Sequence, residues 1–100
     1  MKIVNLNDAA EFSPDAHVGK VVCEEGHLKA RLVCIEAGQR VPPCRMEHDV
    51  AFYVLEGQGT IRADDEQAAL LPGTLALVQG GGERSIEAQA RMRVLAVQAI

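Results

Sequence analysis

Apolar and polar residues alternate along this chain over short stretches, each closed by turn-forming residues, and no segment carries a convincing helical period. That pattern predicts strands. Val18–Glu24 and Leu28–Glu36 are rich in β-branched and apolar residues, and Glu25-Gly26 between them supplies hairpin chemistry. Ala37-Gly38 opens a loop ending at Pro42-Pro43, a pair expected outside the middle of any sheet. Val50–Glu56 is the strongest strand signal. Gly57-Gln58-Gly59 turns it into Thr60–Ala63, and Asp64-Asp65-Glu66 makes the next turn. Ala68–Leu71, Thr74–Gln79, Arg84–Ala88 and Arg91–Ile100 complete the set, and Asn7–Phe12 can form one helical turn at most. Eight or more short strands at this spacing predict an all-β sandwich or barrel in one domain, residues 1–100.

Leu32-Val33-Cys34-Ile35 and Leu75-Ala76-Leu77-Val78 are apolar at both parities. Strands of this kind are covered on both faces. One cover is the barrel interior; the expected second cover is another subunit, so a homodimer is predicted.

Composition narrows the function classes. Hydrophobic residues make up 48% of the chain and charged residues 24%, ordinary values for a globular domain. The net charge is −4, the basic residues are scattered singly, and Phe12, Phe52 and Tyr53 are the only aromatics. Neither the cationic patch nor the stacking platform of a nucleic-acid binder is present. No apolar run is long enough for a secretory leader or a membrane span. Cys23, Cys34 and Cys44 are odd in number and lack CxxC spacing, which favours reduced thiols and a cytoplasmic setting.

From Gly38 the spacing resembles the first motif of the cupin superfamily: Gly, five residues, His, one, His, three or four, Glu, six, Gly. Here Gly38 is followed after five residues by Cys44, then Met46, Val50 and Gly57, within the wording FYVLEGQG. The second motif is Gly, five, Pro, one, Gly, two, His, three, Asn. The chain offers Gly73, Gln79, Gly81, Arg84 and Ala88 at those positions. All four motif glycines match. The resemblance implies a single cupin β-barrel, also described as a jelly roll or double-stranded β-helix, and a small cupin of this kind implies a homodimer.

The four positions where cupins usually hold a metal are here Cys44, Met46, Val50 and Arg84. A site for iron or manganese needs imidazole and carboxylate donors, so the superfamily's metal chemistry does not carry over. Two readings of the altered positions follow. On an extended strand Cys44, Met46, His48 and Val50 share a face, and Cys44, Met46 and His48 together are soft-to-borderline donors suited to Zn or Cu. Alternatively Cys44 and Met46 fill the space that histidines leave, and no cofactor is bound. Arg84 turned inward would anchor a carboxylate or phosphate, with Met46, Val50 and Phe52, and Leu75 or Leu77, as walls. Turned outward, it would pair with Glu83 or Glu87 or reach solvent. Glu56 shares the parity of Val50; His17 and His27 read as surface histidines, and Tyr53 as an outer-face residue. The sequence therefore predicts a metal-free binding module for a small organic ligand, an anionic one where Arg84 turns inward. Two alternatives stand beside it: a metalloprotein using Cys44, His48 and Met46, and a structural or protein-interaction cupin with a filled barrel.

Overall fold

The computed structural model describes residues 1–100. The predicted runs become nine antiparallel strands: β1 (Val18–Glu25), β2 (Leu28–Ile35), β3 (Arg40–Arg45), β4 (Val50–Glu56), β5 (Gly59–Ala63), β6 (Glu66–Leu70), β7 (Leu75–Val78), β8 (Glu83–Ala88) and β9 (Met92–Ala99). One sheet has the order β1-β2-β9-β4-β7 and the other β3-β8-β5-β6. Their facing sides enclose a core of Val33, Ile35, Val50, Phe52, Val54, Ile61, Leu70, Ile86, Ala88, Met92 and Val94. Inward positions recur every second residue, as pleated strands require; β4 buries Val50, Phe52 and Val54 while Tyr53 faces out.

Glycines set the corners. The four motif glycines, Gly38, Gly57, Gly73 and Gly81, all have positive φ. Gly57 shows the constraint most clearly. Its φ is 85°, and a Cβ there would run into the carbonyl oxygen of Arg91 and the backbone of Met92. Only glycine lets β4 turn into β5 against the start of β9.

Two expectations change. Pro42-Pro43 do lie in a strand, but β3 is the edge of its sheet. The ladder to β8 runs through Arg40 and Val41, shifts register, and resumes at Cys44 and Arg45. The prolines occupy the irregular interval, where no amide donor is needed. Leu75 and Leu77 do not wall the interior. β7 is registered so that Leu75 lies opposite Tyr53, on the outward face, while Ala76 opposes Phe52. Leu75 and Leu77 are exposed; Ala76 and Val78 pack on the core.

The second cover expected over β2 comes largely from the chain itself. Leu32 and Cys34 point away from the core yet are almost wholly buried. Arg93, the cross-strand partner of Cys34, donates from Nη1 to Asn7 Oδ1 and from Nε to Glu56 Oε1. The Asn7 contact ties the N-terminal segment to that face. This segment includes α1 (Leu6–Ala9), whose first amides donate to the Asn5 side chain. Further along, Gln39 Nε2 donates to the Ser13 carbonyl, and the Arg91 guanidinium lies 3.5 Å over the Phe12 ring. The expectation of a second subunit therefore rests on the smaller apolar area of Tyr53, Leu75 and Leu77. No helix is long and apolar enough to cross a membrane.

Candidate functional site

At one end of the two sheets the core gives way to a cavity of about 370 Å³. The space exists because small residues stand where larger ones would close it. On the inner face of the five-stranded sheet, Ala96 is flanked in one cross-strand row by Arg31 on β2 and Phe52 on β4. Gly19 on β1 leaves the space above it open, with no atom within reach of an added Cβ. Val21, Val33, Val41, Val50 and Ile86 supply most of the remaining apolar wall.

Arg84 lies on β8 and turns inward. It is 4% exposed, and its Nε, Nη1 and Nη2 make no hydrogen bond to any protein group. Its sole aromatic neighbour is the Phe52 ring, with the guanidinium carbon 5.8 Å from the ring centroid. Neither Glu83 nor Glu87 pairs with it: alternation along β8 sends both to the exposed side. A buried charge is ordinarily paired, because an unpaired one costs several kcal/mol of lost solvation. Arg84 is the only buried charged residue of the chain.

The polar residues around the cavity reinforce its sign. Arg31, His17, Gln98, Ser85 and Cys44 line it alongside Arg84, and no Asp or Glu does. A chain of net charge −4 thus keeps every carboxylate out of this cavity while placing two arginines in its wall.

Of the residues singled out from sequence, Arg84, Met46, Val50, Phe52 and Cys44 all meet at this cavity. His48 does not. It lies in a bend, is exposed, and is absent from the cavity wall. Strand geometry stops at Arg45 and resumes at Val50, so the assumed alternation from Cys44 to His48 is broken. His48 is thus not brought to the cavity that Cys44 and Met46 line, and no group of three His, Cys, Asp or Glu side chains is placed to hold a metal ion. Nor do the residues present fit the metal of the cupin motifs. The position of the last ligand holds a permanently charged guanidinium, which would repel a cation rather than bind it. Glu56 is likewise corrected. A register shift between Val54 and Glu56 turns it outward, where its Oε1 accepts from Arg93 Nε at 2.8 Å.

Arg31, Gln98 and His17 were missed as lining residues, and His17 had been read as a surface group. Arg31 shares the parity of Val33 and Ile35 on β2, but that strand is apolar on both faces, so sequence could not tell which side was inward.

No family model matches the sequence, and no curated protein is significantly similar to it. Solved structures are. A Thermus thermophilus protein is 25% identical over 99% of this chain and 97% of its own, with a TM-score of 0.91. An RmlC-like cupin protein from Desulfovibrio desulfuricans is 27% identical over 99% of this chain and 96% of its own, with a TM-score of 0.89. An uncharacterised conserved protein with a double-stranded β-helix domain from Klebsiella pneumoniae shares the fold at 14% identity and a TM-score of 0.88, over 99% of this chain and 90% of its own. Sheet order, motif glycines and these likenesses agree: the chain belongs to the cupin superfamily.

Proposed function

We propose that this protein is a binding module for a small organic anion, a carboxylate above all, held in the cavity by Arg84. One observation carries the reading: a guanidinium that is 4% exposed, without a hydrogen-bond partner, in the wall of a cavity that no carboxylate lines. An anion supplies the missing acceptors, and a carboxylate matches the guanidinium fork with two parallel hydrogen bonds. Arg31 adds a second positive charge along the same wall, Gln98 and Ser85 offer neutral donors, and Phe52, Val50 and Met46 take up the apolar part of the ligand. Apolar walls with a few convergent polar groups, at this volume, are typical of small-ligand sites. The guanidinium nitrogens have almost no accessible surface. An anion therefore reaches them by a side-chain shift, for which the flexible stem of Arg84 and the unbranched Met46 are suited.

Titration calorimetry against small carboxylates and their uncharged amides tests this. The expected result is saturable binding of one or more carboxylates at one site per chain, not matched by the amides and lost in Arg84→Met. Amides binding as tightly as the acids, or unchanged binding in Arg84→Met, would overturn it.

A further inference from the structure

Cys44 is the one thiol at the cavity, and anion binding alone gives it no task. It sits on β3 directly opposite Arg84 on β8, as its cross-strand partner. Directly opposed residues of an antiparallel pair project to the same face, with Cβ atoms roughly 4.5–5.5 Å apart. The register shift at Pro42-Pro43 is what brings Cys44 opposite Arg84 and aims it at the interior. Both residues line the cavity, yet they differ in exposure. The thiol is exposed and the guanidinium buried. A ligand entering from solvent therefore meets Cys44 at the rim before its charged end reaches Arg84.

Resting on the anion-site reading above, we infer that Cys44 and Arg84 form a two-point capture site for 2-oxo carboxylates. Arg84 holds the carboxylate, which sets the adjacent 2-carbon near the sulfur of its cross-strand neighbour. The sulfur forms a bond to that carbon as the carbonyl π pair moves onto oxygen. The thiol proton passes to that oxygen, giving a neutral thiohemiketal. No atom leaves and no electron is gained or lost, so neither a metal nor a redox partner is required, and the reverse step releases the ligand intact.

Two probes test the inference on the intact protein. Iodoacetate mimics the geometry, since its electrophilic carbon is bonded to the carboxylate carbon; iodoacetamide is its uncharged counterpart. By peptide mass spectrometry, the iodoacetate-to-iodoacetamide rate ratio at Cys44 should exceed that at half-buried Cys23 of the same chain by roughly tenfold, the worth of one charge-assisted contact. The preference should fall to the Cys23 level in Arg84→Met and survive in Arg84→Lys, a second variant that keeps the charge. With pyruvate labelled with carbon-13 at its 2-carbon, a protein-bound resonance in the tetrahedral range should appear and vanish in Cys44→Ser. Equal ratios at the two cysteines, or no tetrahedral resonance at saturating pyruvate, would overturn the inference. Lactate, which has the carboxylate but no electrophilic carbon, separates the two levels. If lactate binds calorimetrically in an Arg84-dependent way while pyruvate forms no adduct, capture is wrong and the anion site stands. If neither binds, capture is wrong, and the anion site falls with it when no other small carboxylate binds in an Arg84-dependent way.

Discussion

Arg84 is a local conflict in an otherwise consistent core. Its neighbours on β8, Ile86 and Ala88, are buried apolar residues of the core cluster, and Arg84 continues their inward parity with a charge that nothing in the protein neutralises. Such a group lowers stability, and a site that keeps it does so for binding. Replacing it by Met, of similar reach and no charge, should raise stability in anion-free buffer by about 1–2 kcal/mol. In a urea titration the midpoint should move up with the slope unchanged. A variant less stable than wild type would mean that the guanidinium is already satisfied, and would remove the main support for a ligand. The identity of this residue was legible in the sequence, because motif spacing set Arg84 where a ligand histidine stands. Its orientation was not: Glu83 and Glu87 offered equally good partners until alternation along β8 placed them on the outside.

Elements were read well wherever turn chemistry bounded them and poorly where an edge strand relaxed the rules. The hairpin at Gly26, the corners at Gly57 and Gly73 and the turn before β8 all fall where glycine spacing predicted, because each needs a backbone conformation that side chains disfavour. β3 escapes the sequence reading because the stretch from Ala37 to Pro43 reads as a loop, although an edge position leaves the missing proline amides without consequence. The same gap misplaced His48, which alternation from an unbroken strand would have put inside. β7 was found but its faces were exchanged, because an apolar run at both parities carries no information about direction. The corner at Gly57 offers a test at this scale. Gly57→Ala combines a positive φ with a collision against Arg91 and Met92. It should cost at least about 2 kcal/mol and lower the melting temperature by roughly 10 °C for a domain of this size. An alanine variant melting within about 2 °C of wild type would show that the corner can relax in a way this geometry does not allow.

At the scale of the whole molecule, charge is sorted by position. The chain is acidic overall, yet its carboxylates lie on outer faces and loops, while the inner end of the two sheets holds Arg84 and Arg31 against apolar walls. Sequence could supply the fold, through glycine spacing and strand pattern, and four of the cavity residues it proposed for the ligand, Arg84, Met46, Val50 and Phe52. It could not supply the rest, since Arg31, Gln98 and His17 reach the cavity from β2, β9 and the approach to β1, brought together by sheet order rather than by any local motif. The site is a property of the closed sandwich. The claim that this arrangement serves an anion is tested most directly by following the arginine side-chain Nε–H resonances by NMR during titration with a small carboxylate. One resonance, identified by its disappearance in Arg84→Met, should shift strongly and saturate at one equivalent while the exposed arginines barely move. If the Arg84 resonance stays fixed at saturating carboxylate while other arginines respond, the cavity is not the anion site.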